Sequence, residues 1–306
     1  MIWNPLSLKA PRTFALARQF LAKGSNKPFK NCENGGKFQK KMELTVEKIL
    51  FIGGGNMAQA LIGGIFKDFE VGVVERDDEK RALLKKEFSL KTFANIKDIP
   101  KEQWQKFSAI FLAIKPQQFD AAAADMPSKL ATLVVSIMAG VKIEKIALFF
   151  PNAKIIRSMP NTPALVKKAV SALFASKNVS DSDKQRVEKI FNAVGTSFWL
   201  KKEAQINAVT AISGSGPAYV FYFLEAFQQA ALSLNFDEAT ARQLALSTFD
   251  GALALAKNGD FCQLRQNVTS KGGTTEAALA VLHEADFIHL MQRAVCAANL
   301  RAEELS

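Results

Sequence analysis

At 306 residues with 48% hydrophobic side chains, the chain is long enough for about two domains and a large core. Its formal charge of +11 would point to nucleic acid, but nine Lys or Arg against the single acid Glu33 stand in residues 1–41, which leaves the remaining 265 residues at a net +3. That distribution excludes a basic face on the folded part, and no apolar run approaches the ~18 residues of a membrane span, so neither nucleic acid nor membrane is an expected partner. Cys32, Cys262 and Cys296 have no paired spacing. They argue against a disulfide framework or a zinc knuckle and for a reducing compartment, so the expected location is cytoplasmic.

In chain order, residues 1–45 come first. The GKFQKK run and the aperiodic Gly, Asn, Lys and Phe around it predict a disordered or mis-assigned N-terminal extension, with synthesis starting at Met42. The acid-poor, Arg- and Ser-bearing start also fits an organelle transit peptide. A secretory signal is excluded, because no apolar core of sufficient length follows the basic residues. From Lys48 to about residue 202, short apolar runs alternate with amphipathic segments. Runs at 48–52, 71–75, 108–114, 132–138 and 154–159 read as buried strands. Segments 77–88, 142–150 and 181–194 read as helices, with Asp181 as N-cap and Gly195 just past the C-terminus. This is the pattern of a doubly wound, Rossmann-type parallel sheet, an α/β fold whose ligands lie at the carboxyl ends of the strands.

The first of those strand ends carries the main chemical signal, FIGGGNMA at 51–58. Gly53, Gly55 and Ala58 match the G-x-G-x-x-G/A dinucleotide fingerprint between a strand and a helix. Gly53, Gly54, Gly55, Asn56 and Met57 are therefore cofactor-binding candidates, since glycine lets backbone approach a phosphate and the helix start aims N–H groups at it. Glu75 follows the second strand about 20 residues on, where ribose is read, and Arg76 beside it suits a 2′-phosphate. Ala113, Ile114, Lys115 and Pro116 end the next strand. Lys115 reads either as a solvated lysine or as a cation beside the cofactor. Ala139 and Gly140, in SIMAG, leave room for a flat ring against backbone. Asn161, between two prolines, is either a turn-former or a partner for a nicotinamide carboxamide.

After about Lys202 the strand signals stop, and 203–232, 237–257 and 286–304 read as long helices with Asp237 and Asp286 as N-caps and Gly259 as a stop. The first is apolar nearly all round, through Phe221, Phe223, Leu224 and Phe227, which predicts burial against a second subunit. The SGSGP motif at 213–217 reads as a close-packing element. VTSKGGTT at 268–275 reads as a second anion nest before a helix at 276–283, with Ser270, Gly272, Gly273, Thr274 and Thr275 as substrate-binding candidates for a small carboxylate. No catalytic triad spacing and no carboxylate cluster for a metal appears; His283 and His289 read as structural. The chemistry is then the cofactor's, which fits hydride transfer.

Taken together, FIGGGNMA, AIKPQ, IIRSMPNTPA, SGSGPAYVF and VTSKGGTTEAAL resemble, in order and from about Lys48 onward, the pyrroline-5-carboxylate reductases. Lys271 departs from the family's usual proline. The resemblance implies reduction of L-1-pyrroline-5-carboxylate to L-proline, the last step of proline biosynthesis, with NADPH as cofactor and NADH also accepted. It implies that the 270–275 loop holds the substrate carboxylate, with Thr275 the catalytic candidate at the imine nitrogen. It also implies an all-α dimerisation and substrate domain at 203–306 behind a dinucleotide domain at 46–202, and a homodimer able to assemble into a larger ring. Two rivals stand beside it: a related imine or hydroxy-acid reductase, for which Lys271 is one of few catalytic candidates, and a dinucleotide sensor without turnover.

Overall fold

The computed structural model describes residues 46–306. The expectations for residues 1–45 lie outside the described residues. The apolar runs form an eight-stranded sheet: β1 (Lys48–Ile52), β2 (Glu70–Val74), β3 (Lys91–Phe93), β4 (Phe107–Leu112), β5 (Leu133–Ser136), β6 (Lys154–Met159), β7 (Ala169–Ala175) and β8 (Gly195–Trp199). Their spatial order is β3-β2-β1-β4-β5-β6-β7-β8. The chain winds outward from β1 in both directions, so the strand order reverses there and opens a crevice at the carboxyl ends. Pairing is parallel from β3 through β6; β7 runs antiparallel to β6, and β8 parallel to β7.

Alternate side chains of each strand feed different cores, as the pleat requires. Ile49, Phe51, Val73, Phe111 and Val135 pack on one face with α1 (Asn56–Ile65) and α5 (Asp181–Asn192). Leu50, Ile52, Ile110, Leu112 and Val134 pack on the other with α3 (Phe119–Ala124) and α4 (Ile143–Phe149). With both faces covered, the strands read as continuous apolar runs, which is why five of the eight were visible in the sequence. The other three were not. β3 has only three residues, β7 is rich in alanine and serine, and β8 opens on Gly195, expected to mark the stop of the preceding helix.

Helix boundaries show similar corrections. The cap of α5 is Ser180, in a capping box with Asp183, not Asp181. In α2 (Asp78–Phe88), expected over 77–88, Asp77 is the N-cap and accepts from the Lys80 N–H. The single helix expected over 203–232 is interrupted. A short α6 (Gln205–Val209) passes into a π-helical turn, Thr210–Gly214, and α7 (Gly216–Ser233) starts afresh with Pro217 in its first turn. Proline is suited to a helix start and cannot continue a ladder, so SGSGP resets the helix. There follow α8 (Glu238–Ala256), capped by Asp237, a short α9 (Phe261–Asn267) that the periodicity did not reveal, α10 (Thr274–Glu284) and α11 (Phe287–Glu304). Asp286, expected to cap α11, sits in left-handed backbone and makes no capping bond.

The sheet and the helices beyond it are joined at a buried arginine. Arg157, 1% exposed on β6, donates to Glu203 Oε1 at 3.0 Å, and the same oxygen accepts the Ile143 N–H at 2.8 Å. No helix among the described residues is long and apolar enough to cross a membrane.

Candidate active site

The carboxyl ends of β1, β2, β4 and β5 are laced by main-chain bonds from Gly53 N–H to Val74 O, Ala113 N–H to Ile52 O and Ile137 N–H to Leu112 O. Gly53 has φ +103, and a Cβ there would overlap the Ala113 carbonyl oxygen. Only glycine lets the first turn nest against AIKP. A Cβ on Gly55, by contrast, would meet open space. Gly55 caps α1 without a side chain, and no acidic residue stands in the first turn. The positive end of α1 therefore faces an open position with its N–H groups free of side-chain partners, an anion site. Gln59 secures the turn from behind, its Nε2 donating to Gly54 O at 2.8 Å. These features fit a dinucleotide pyrophosphate.

The remaining cofactor candidates are placed as follows. Glu75 is half-buried, accepts the Gly54 N–H on Oε2 at 2.9 Å and the Asp77 N–H on Oε1 at 3.0 Å, while Arg76 is exposed. Lys115 is exposed after β4, with Pro116 opening a short 3-10 turn. Ala139 is exposed beyond β5. Gly140 has φ +73, and a Cβ there would overlap the Leu305 carbonyl oxygen. Its missing side chain makes room for the end of α11. Asn161 is buried at the end of β6. Its carboxamide donates to Ser213 O and Oγ, each at 3.1 Å, and accepts the Val170 N–H at 2.9 Å. That side chain ties the MPNTP loop to the π-helical turn and to β7, the turn-forming one of its two readings. Ser213 was expected only as part of a close-packing motif, and Gln59 and Arg81 were not singled out in the sequence, because each acts on main-chain carbonyls, Arg81 on those of Glu75 and Arg76.

The second nest lies on the helical elements. Gly272 has φ +72 with open space beyond it, and Gly273 caps α10 without a side chain. Gly273 also packs tightly on Ser270, whose carbonyl accepts its N–H at 3.0 Å. Gly272 N–H donates to Glu276 Oε2 at 2.6 Å, so a carboxylate oxygen of the chain itself occupies one donor of the nest. Ser270, Lys271, Gly272 and Thr274 are exposed, and Thr275 is half-buried in the first turn of α10. Among the described residues, no hydrogen bond joins this loop to the glycine turn of β1.

An open parallel sheet of this order, with an uncapped glycine turn at its switch point, defines a dinucleotide-dependent oxidoreductase. Residues 48–140 match the family model described as NADP oxidoreductase, coenzyme F420-dependent, and residues 203–305 match that of pyrroline-5-carboxylate reductase dimerisation. The pyrroline-5-carboxylate reductase of Pasteurella multocida is 40% identical over 275 residues, spanning 86% of this chain and 98% of that one. Among solved structures, that of a pyrroline-5-carboxylate reductase from Coxiella burnetii superposes with a TM-score of 0.77 at 36% identity, covering 86% of this chain and 99% of that one. The Plasmodium falciparum pyrroline carboxylate reductase, solved with NADP bound, gives 0.74 at 29%, covering 85% and 98%. The chain belongs to the pyrroline-5-carboxylate reductase family.

Proposed function

We propose that this chain reduces 1-pyrroline-5-carboxylate to proline, with NADPH held at residues 53–57 and the substrate at residues 270–275. The observation that carries the reading is the pair of uncapped glycine nests, one at the sheet's switch point and one at α10, in a chain of this family. We read residues 46–202 as the dinucleotide domain and 203–306 as the helical substrate and dimerisation domain. When bound, the nicotinamide supplies the hydride. The residues of the chain position and polarise. The N–H groups of Gly272 and Thr274 receive the substrate carboxylate once Glu276 gives way, the Gly273 N–H staying on the Ser270 carbonyl, and the Thr275 hydroxyl holds the ring nitrogen. An imine arriving protonated needs no acid from the protein, so the rate gain is orientation and electrostatics. Because the two nests are not joined within one chain, the functional unit is a homodimer in which a second copy covers the exposed apolar helices and completes the site. Closure into a larger ring is compatible with the same surface.

The test is nicotinamide oxidation by the purified protein with freshly prepared pyrroline-5-carboxylate. Stoichiometric proline is expected, with kcat lowered roughly tenfold in Thr275→Ala, the scale of one lost polar contact. Tight NADPH binding without proline formation would overturn the assignment, and unchanged kinetics in Thr275→Ala would remove that residue from the site.

A further inference from the structure

Three observations converge on the turn after β2. First, Glu75 spends both carboxylate oxygens on main-chain donors, one each on Gly54 and Asp77. Gly54 is buried, and the space a Cβ would need is filled by Leu84 and Glu75 itself. Turning Glu75 outward toward a ribose would take its acceptor from the N–H of a buried glycine, the costly way to lose a hydrogen bond. Second, Arg81 reaches back from α2 to the turn. Its Nη1 donates to Glu75 O at 2.7 Å and to Arg76 O at 2.8 Å, and Nη2 pairs with Asp78. Its side chain is 17% exposed, so this fork is committed to the fold. Third, the Arg76 guanidinium is exposed and, among the described residues, has no hydrogen bond or ion pair.

We propose that Glu75 braces the phosphate turn from inside and does not read the ribose, and that Arg81 sets the preference for NADPH by fixing the two carbonyls that aim Arg76 at a 2′-phosphate. The inference rests on the reading of residues 53–57 as the dinucleotide site. A carboxylate facing the ribose favours a 2′-hydroxyl and repels a phosphate. With that charge held by two N–H groups, the turn presents to the adenosine end a planar cation suited to bidentate phosphate binding. Arg81 is a positioning residue, since both of its terminal nitrogens are already held by the chain, Nη1 by two carbonyls and Nη2 by Asp78.

The experiment is calorimetric titration of the full chain with NADPH, NADH, 2′,5′-ADP and 5′-AMP. Wild-type protein is expected to bind 2′,5′-ADP roughly tenfold or more tightly than 5′-AMP, from which it differs only by the 2′-phosphate, the scale of one charge-assisted contact. Glu75→Gln should weaken NADPH and NADH by a common factor. Arg76→Ala and Arg81→Ala should each weaken NADPH and 2′,5′-ADP, and the double variant should lose little beyond either single one, the sign of one coupled device. Loss of NADH affinity alone in Glu75→Gln, or additive losses in the double variant, would overturn the inference. The wild-type comparison of 2′,5′-ADP with 5′-AMP stands even if a variant fails to fold, and equal affinities there would also overturn it. Wild-type protein that binds none of the four ligands would instead refute the cofactor-site reading itself, before any variant is made.

Discussion

Gly53 and Asn161 do at single positions what their spacing in the sequence only partly foretold. At Gly53 the backbone is at φ +103 and the would-be Cβ direction runs into the Ala113 carbonyl. Gly53→Ala combines backbone strain with overlap against main chain that cannot step aside. It should cost about 2–3 kcal/mol in urea unfolding and abolish NADPH binding by calorimetry. A stable variant with wild-type affinity would show that the turn relaxes. The fingerprint made Gly53 legible without an adjacent partner. For Asn161 the residue was legible and its partners were not, since Ser213 is 52 positions away. Asn161→Ala leaves the Val170 N–H and Ser213 without their bonds, and a fall in stability of about 2 kcal/mol is expected in urea unfolding. Unchanged stability with a raised KM for NADPH would instead return Asn161 to the nicotinamide.

At the scale of elements, α5 shows how a capping residue becomes a tertiary anchor. Asp183 is its N3 residue and, at 5% exposure, accepts from Ser180, from Lys154 of β6 at 2.8 Å and from Arg186 at 2.9 Å. Arg186 in turn holds Glu47, just before β1, through both carboxylate oxygens. Burial pushes the Asp183 carboxyl up, but its bonds to Lys154 and Ser180 and the Lys154 charge outweigh that and leave it below the usual aspartate range. Glu47 is held low chiefly by its bond to Arg186. Both pKa values are depressed on folding. Their contribution is therefore present above the ordinary carboxylate range, about pH 4, and is lost as pH falls through the lower folded values. Asp183→Asn should cost about 2 kcal/mol at pH 7 and flatten the fall in melting temperature below about pH 4. An acid limb as steep as wild type would assign the acid sensitivity elsewhere. A capping box is a local signal, but the ring of Lys154, Arg186 and Glu47 assembles only when β6, α5 and the lead into β1 meet.

For the whole molecule the decisive surface is α7. None of its residues is buried in the single chain, and Phe221 and Tyr222 are 64% and 71% exposed. An eighteen-residue helix so apolar and so bare, inside the residues that match the dimerisation family model, is the surface we propose a second copy covers. Phe221→Asp should convert the dimer to monomer in light scattering and remove proline formation. NADPH affinity should stay within roughly threefold of wild type, because the glycine turn is complete in one chain. A dimer that survives Phe221→Asp would move the interface to another face.

What the amino-acid sequence determined by itself was whatever depends on neighbours within a few residues. The glycine turn between strand and helix, the buried runs of a parallel sheet, the Asp77 and Asp237 caps and the GGTT nest are of this kind, because φ, helix ends and hydrophobic period are local quantities. Three things needed the tertiary structure. β3, β7 and β8 are strands because neighbouring strands of the sheet complete their hydrogen bonds. Asn161 and Glu75 turn their polar atoms inward because donors from far along the chain arrive beside them. Gly140 serves the end of α11, since only packing brings residue 305 onto residue 140. Long-range contact decides which of a polar residue's bonds are already taken, and that determines whether it is left for a ligand.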